Sequence, residues 1–417
     1  MSLFGPGSRL ALIDEVGIPE HDCDREYLPT RYETAMALGP IVVPVYEPYL
    51  TGQEKKYVDE CLDSLWISKG PFTSRFETQF AQYIGASGAT TVCNGTVALH
   101  LALLALGIGP GDEVIVPTLT YIASVNAIAY TGAVPVFADS LPSTWQLDPD
   151  DVRRKITRRT KAVMAVHLYG LPCDMDRLVR ICRDNNLLLI GDCAEACGSY
   201  YKGRHVGTFG DIATFSFFGN KTITTGEGGM VVASDARVAE RVIRLKSQGV
   251  SPTREYWHDI LGFNFRMNNV SAAIGLAQLE MVDAILEKKR RVAAWYQAKL
   301  RGQPLEMQGE VADTRHSFWM CSALAADELT RDALRAHLRA SGIETRPTFH
   351  PAHTMPVFRS EQRFPVAESI GRRGFSLPSY PALTEEIVDR VCCSIQEFYA
   401  VNRMALLARA ASQRSSK

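Results

Sequence analysis

The chain has 417 residues, with 45 Lys and Arg against 46 Asp and Glu and a net charge of −1. This balance excludes the basic field that gathers nucleic acid or an anionic membrane surface, and it points to a small-molecule partner. At 46% hydrophobic and 22% charged the composition is that of an ordinary globular protein, and the length favours two domains.

Residues 1–42 show no sustained periodicity and read as an N-terminal extension. The opening "MSLFGPGSRLALIDEVG" lacks a basic region followed by a long apolar run, and no apolar stretch reaches the ~18 residues a membrane helix needs. A cytoplasmic protein with no membrane contact is the expectation. The ten cysteines lack the paired spacing of zinc ligands, so no metal site is expected.

From "IVVPVYEPYLTGQEKKYVDECLDS" the pattern becomes regular, with Thr51 placed to cap a helix. After "CNGT", the segment "VALHLALLALG" is apolar on nearly every side, which requires a buried helix ending at Gly107. Short apolar runs then recur at 113–117, 134–139, 162–168, 187–192, 213–218 and 229–234. The first four are separated by lengths suited to crossover helices, which predicts an α/β fold with a mostly parallel sheet. A long amphipathic helix is expected from about Val270 to Leu300. A smaller α/β portion follows, with a closing helix near 384–400 and a solvated tail. The domains expected are therefore an extension at 1–42, a large domain at 43–280, a small C-terminal domain at 281–400 and a tail at 401–417.

Within "FSFFGNKTITTGEGGM", Lys221 is not part of a phosphate-binding P-loop. Such a loop needs glycines where Phe215 and Asn220 stand. The glycines follow the lysine instead, and the plainer alternative is a strand connection with Lys221 in solvent. Asp192 follows the buried run "LLLIGD", where a carboxylate needs a cation or several donors; it is either a helix cap or the partner of a cationic ring nitrogen. Asn94, Gly95 and Thr96 open a buried helix with free N–H groups at its positive end, which suits a phosphate monoester as well as ordinary capping. Ser216 adds a hydroxyl near the same sheet edge. Tyr121, after the strand at 113–117, is placed to stack on a flat heterocycle or to join the core. Together these residues ask for a ligand with a phosphate, an aromatic nitrogen and an aldehyde. Pyridoxal 5'-phosphate (PLP) has all three.

In order along the chain, "NGTVALHLAL", "GDEVIVPTLTYIASVNA", "VHLYG", "DCAEA" and "GTFGDIATFSFFGNKTITTGEGGM" resemble the DegT/DnrJ/EryC1/StrS family of sugar-nucleotide aminotransferases, within the aspartate-aminotransferase fold. The resemblance runs from about Val43 to the helix near 400. It implies fold type I of the PLP enzymes, with Lys221 condensing with the cofactor aldehyde and Asp192 holding the pyridine nitrogen. It also implies Tyr121 stacked on the ring, and Gly95, Thr96 and Ser216 on the phosphate. Glu195 falls where the family keeps a polar side chain near the ring, and Asn264 where it reaches the phosphate of the neighbouring subunit. A homodimer with shared sites follows, with a tetramer left open.

"WISKG", "YWHDILGFNFRMNN" and "ETRPTFHPAHTMP" resemble the branch that converts GDP-4-keto-6-deoxy-mannose to GDP-perosamine with L-glutamate as amino donor. Trp66, Lys69, Arg346 and His350 become candidate contacts to the sugar nucleotide, with a surface role equally open for each. UDP- or dTDP-linked and nucleotide-free keto sugars are the alternative substrates. A PLP-dependent sugar dehydratase, whose lysine is replaced by histidine, and a non-catalytic PLP-binding regulator are the alternative classes.

Overall fold

The computed structural model describes residues 41–50 and 52–414, with side chains as far as Asn402. Two helices, α1 (Gln53–Asp63) and α2 (Pro71–Ile84), lead into β1 (Thr90–Val92) and α3 (Gly95–Ala105). Strands and helices then alternate as β2 (Glu113–Pro117), α4 (Ile122–Tyr130), β3 (Val134–Ala138), α5 (Pro149–Lys155), β4 (Thr160–Val166), α6 (Met175–Asp184) and β5 (Leu188–Asp192). A short hairpin, β6 (Tyr200–Tyr201) and β7 (Arg204–His205), precedes β8 (Ile212–Ser216), β9 (Gly229–Ala233) and α7 (Ala236–Lys246).

Seven of these strands form one sheet in the order β1-β9-β8-β5-β4-β2-β3. The pairs β2–β3, β2–β4, β4–β5 and β5–β8 are parallel, while β9 runs antiparallel to both its neighbours. The mostly parallel sheet expected from the sequence is thus present. Both faces are covered, as parallel sheets require. Ile115 and Val163 pack among Phe72, Phe76 and Phe80 of α2 on one side. Val114, Val116 and Met164 pack among Leu101, Val125 and Ile128 of α3 and α4 on the other. Neighbouring residues of one strand therefore serve opposite layers, the period of two that a pleated strand dictates.

The second half comprises α8 (Asn269–Glu280), α9 (Val282–Lys299), β10 (Glu306–Met307), β11 (Thr314–Arg315), β12 (Cys321–Leu324), α10 (Glu328–Ala340), β13 (Arg346–Pro347), α11 (Pro365–Arg373), β14 (Gly374–Leu377) and α12 (Glu385–Arg414). Here β10, β12, β14 and β13 make an antiparallel sheet. Its own core includes Val292, Tyr296, Leu334, Phe375, Val391 and Ile395.

Three expectations are corrected. The helix expected over Val270–Leu300 is two helices meeting at a 63° bend at Met281. Neither glycine nor proline stands there, so packing sets the bend. The buried α8 belongs to the layer under the large sheet, whereas α9 turns away so that Val292, Ala293 and Tyr296 enter the second core. The closing helix also continues to Arg414, through most of what reads as a solvated tail. Thr51 lies outside the described residues, as does the extension as far as Pro40, and the position before α1 is held by Gly52. The Gly52 N–H donates to the Glu54 carboxylate at 2.8 Å.

No single helix among the described residues is long and apolar enough to cross a membrane.

Candidate active site

A cavity of about 680 Å³ is lined by Lys221, Asp192, Glu195, Ser216 and Tyr121 together with the start of α3. Asp192 and Ser216 are the last residues of β5 and β8. Ligands gather beyond the carboxyl ends of parallel strands because helix N-termini and loop residues converge there.

Lys221 stands in the connection between β8 and β9, and its backbone is gripped from two sides. Its carbonyl accepts a 2.6 Å bond from the Tyr46 hydroxyl, and the neighbouring Asn220 carbonyl accepts one of 2.7 Å from the Trp319 indole N–H. The side chain is 12% exposed, with Nζ 4.0 Å from Glu195 Oε1 and 4.1 Å from the centroid of the Trp319 ring. Burial lowers its pKa below the usual lysine value, against the opposing pull of Glu195 and Asp192. Burial that favours the neutral amine, held in place, favours a nucleophile towards a carbonyl.

Asp192 is 4% exposed. Ser124 Oγ donates to its Oδ2 at 2.8 Å and the Ala194 N–H to its Oδ1 at 3.1 Å. Burial still raises its pKa, which is what a buried carboxylate does without a full cationic partner. Glu195 is equally buried, accepts the Tyr169 N–H at 2.6 Å, and is pushed up to about 7, first by burial. Tyr169 itself holds a left-handed backbone, φ 59°, ψ 9°, a conformation disfavoured for a bulky residue and typical of sites where function over-determines the chain.

At the other end of the cavity, Asn94 caps α3 by accepting the Val97 N–H at 3.0 Å. Gly95 is required at its position, because a Cβ there would lie 2.7 Å from Ser216 Cβ and 2.9 Å from its hydroxyl. The helix start and the end of β8 are thereby brought together, presenting backbone N–H groups and two hydroxyls, Thr96 and Ser216, to one space. Gly229, in the "GEGG" run, serves the same approach from β9, where a Cβ would meet the Asn94 carbonyl at 2.6 Å. Such a cradle suits a small anion.

Tyr121 precedes α4 and is 55% exposed, its ring 5.5 Å from that of Phe349. Arg346 also lines the cavity, with an Nη 3.2 Å from Glu344. His350 is exposed and lines a separate, adjacent hollow. Trp66, Lys69 and Asn264 are exposed and are not among the residues around this chain's own Lys221 cavity.

Ser124, Tyr169, Trp319 and Phe349 complete the walls and escape a reading of local motifs. Tyr169 stacks against Phe349 with centroids 5.4 Å apart and against Trp319 at 6.1 Å. Behind Trp319, the buried Lys289 ammonium donates to the Trp319 carbonyl at 3.1 Å and to the Ser379 carbonyl at 2.7 Å. Only "VHLYG" and "SFWMCSALA" carry a hint of this wall, as aromatic residues at the ends of apolar runs.

Residues 48–396 match the DegT/DnrJ/EryC1/StrS aminotransferase family. GDP-perosamine synthase of Escherichia coli O157:H7 is 56% identical over 360 residues, covering 86% of this chain and 99% of that one. The GDP-perosamine synthase of Vibrio cholerae is 50% identical over 364 residues, with 86% and 99% covered. Among solved structures, the aminotransferase TlmJ from Streptoalloteichus hindustanus superposes with a TM-score of 0.83 at 32% identity, covering 86% of this chain and 99% of that one. Spr1654 from Streptococcus pneumoniae in its PLP form has a TM-score of 0.81 at 26% identity, covering 85% and 97%. The chain belongs to the DegT/DnrJ/EryC1/StrS aminotransferase family.

Proposed function

We propose that the protein transfers the amino group of L-glutamate to the 4-keto carbon of GDP-4-keto-6-deoxy-D-mannose, with PLP as cofactor and GDP-perosamine as product. The observation that carries this reading is the convergence of Lys221, Asp192 and the Gly95–Ser216 cradle on one cavity. The 56% identity to a GDP-perosamine synthase supports the choice of sugar.

The residues fit the cofactor at three points. The cradle of α3 N–H groups with Thr96 and Ser216 matches a phosphate monoester, Asp192 matches a protonated pyridine nitrogen, and Lys221 Nζ matches an aldehyde. When bound, PLP supplies a carbonyl that carries nitrogen and a ring that accepts electrons. Asp192, strained towards the neutral form by burial, ionises fully once a cation stands against it, and Ser124 and the Ala194 N–H hold it in position. Lys221 Nζ moves the proton at the donor's α-carbon, and burial, which lowers its pKa from the usual lysine value, makes the ammonium a readier proton donor. Glu195 holds a proton beside Nζ, and Tyr121 covers the ring.

Trp66, Lys69, Arg346 and His350 are the proposed sugar-nucleotide contacts. Asn264 is assigned to the cofactor phosphate of a neighbouring subunit in a cytoplasmic homodimer. Within the single compact unit that begins at Ile41, the bend at Met281 supports a division into a 43–280 PLP-binding part and a 281–400 small part.

The test is direct. Protein loaded with PLP is mixed with L-glutamate and GDP-4-keto-6-deoxy-mannose, and the product is read by mass spectrometry. The expected product is a GDP-linked 4-amino sugar. Amination of a UDP- or dTDP-linked ketone alone overturns the sugar assignment, and failure of Lys221→Ala to abolish the glutamate-driven colour change overturns the catalytic one.

A further inference from the structure

Lys289, on α9, is 1% exposed, and no carboxylate among the described residues pairs with its ammonium group. Burial lowers its pKa to about 8. An apolar side chain of the same length would fill the space without the cost of desolvating a charge. The use of this cation lies in what its donors hold.

Strands β12 and β14 pair from Leu324 with Gly374 to Cys321 with Leu377, and there the ladder ends. Beyond that last rung the Cys321 N–H turns to the Ser379 hydroxyl at 2.8 Å. The carbonyls of Trp319 and Ser379 lie past the ladder, and buried carbonyls need donors. Lys289 Nζ serves both, at 3.1 and 2.7 Å. An ammonium has three N–H groups, and Nζ also lies 5.6 Å from the centroid of the Tyr46 ring, within reach of a cation–π contact.

Each of these three residues leads to Lys221 or to the chain beside it. Trp319 donates its indole N–H to the Asn220 carbonyl at 2.7 Å and sets its ring 4.1 Å from Lys221 Nζ. Tyr46 donates its hydroxyl to the Lys221 carbonyl at 2.6 Å. Ser379 donates its N–H at 3.1 Å to the carbonyl of Val45, the residue before Tyr46. One buried ammonium therefore stands at the common root of both anchors that grip the lysine loop. A residue that only fills the second core needs neither the charge nor contact with both.

We propose that Lys289 is a positioning residue for the aminotransferase reaction, holding Trp319 and Tyr46 in the arrangement that fixes Lys221. It does not line the cavity and acts through those two side chains. The proposal rests on Lys221 as the amine that condenses with PLP.

Lys289→Met keeps the length of the side chain and removes its donors. Its melting temperature is expected to stay close to that of wild type, because replacing a buried charge by an apolar group of similar size is often neutral. The rate at which cofactor-free protein captures PLP, followed by absorbance, is expected to fall about tenfold, the scale of one lost hydrogen bond to a charged group. The kcat for amination falls with it, while KM for L-glutamate holds. In a double-mutant cycle with Tyr46→Phe, the combined loss of capture rate should be smaller than the product of the single losses, since both changes act on one anchor. Wild-type capture and kcat in Lys289→Met, or losses that multiply independently, overturn the proposal. If the Met variant does not fold, Lys289→Gln, which keeps two N–H donors without the charge, takes its place with a smaller loss expected. Loss of folding in both assigns the residue to the core alone and overturns the proposal as well. Lys221→Ala separates the two assignments. If it keeps the glutamate-driven colour change, the role of Lys221 falls and that of Lys289 with it; if it loses that change while Lys289→Met matches wild type, only the role of Lys289 falls.

Discussion

Trp319 offers the sharpest test of how the protein prepares Lys221. The lysine Nζ sits 4.1 Å from the Trp319 ring centroid, in a position only 12% exposed to solvent. A cation over a desolvated indole gains about 2 kcal/mol, and one pKa unit corresponds to about 1.4 kcal/mol. Removing the ring therefore withdraws that support from the ammonium and lowers the lysine pKa further, in the same direction as the lowering that burial already imposes. The sign follows from which form the ring supports: it favours the ammonium, so its loss favours the neutral amine. Since only the neutral amine condenses with an aldehyde, Trp319→Leu should let the cofactor-free protein capture PLP at lower pH. The rate of PLP capture against pH, followed by absorbance, reads this directly and needs no catalytic turnover. Trp319→Phe keeps a weaker π face but loses the N–H bonded to the Asn220 carbonyl, so its profile should fall between the other two. Equal shifts for Leu and Phe would assign the effect to that hydrogen bond. A profile that stays put or moves to higher pH would refute support of the ammonium by the ring.

Glu195 is raised to about 7 from 4.5 by burial, so the folded protein binds its proton more tightly than the unfolded chain does. Its contribution makes stability fall as pH rises from about 4.5 to about 7, by up to ~3 kcal/mol; Glu195→Gln should remove that fall, read as cofactor-free melting temperatures at pH 5 and pH 8. Gly95→Ala forces a methyl to within 2.7 Å of Ser216 Cβ. It should cost about 1–3 kcal/mol of stability and weaken PLP about tenfold, or ~1.4 kcal/mol; an unchanged affinity in equilibrium dialysis contradicts the cradle. Ser124→Ala deletes the 2.8 Å bond to Asp192, a charge-assisted bond of about 1.5–3 kcal/mol. The Asp192 pKa then climbs further and PLP affinity drops more at pH 6 than at pH 8; equal losses at both values would count against that role.

Much of the fold was legible because its signals are local. The apolar runs that became β2, β4, β5, β8 and β9 lie between turn residues and need no distant partner to be recognised. Lys221, Asp192, Gly95 and Ser216 likewise stand at the ends of those runs, where the sheet itself brings them together. Ser124 and Trp319 were missed for the opposite reason, since each meets its partner across 68 or 99 residues. Nothing adjacent in sequence marks such a contact. The bend at Met281 escaped as well, because the apolar pattern continues through it and only the presence of two separate cores explains the turn. Trp66, Lys69 and Asn264 belong to segments whose motifs are clear, yet one chain's fold leaves them on its surface.

The Tyr46 hydroxyl on the Lys221 carbonyl has a practical consequence for engineering. The few residues before it form a strap: Val43 bridges to Ile343, the Val45 N–H donates to Glu344, and the Val45 carbonyl accepts the Ser379 N–H. Tyr46 then ties that strap to the reactive lysine at 2.6 Å. A shortened protein beginning at Ile41 keeps the whole tether, whereas one beginning at Glu47 severs the small sheet from the lysine loop. The usable start site for truncations, fusions and surface immobilisation therefore lies upstream of Val43, and a linker attached there pulls on the same strap that steadies the amine.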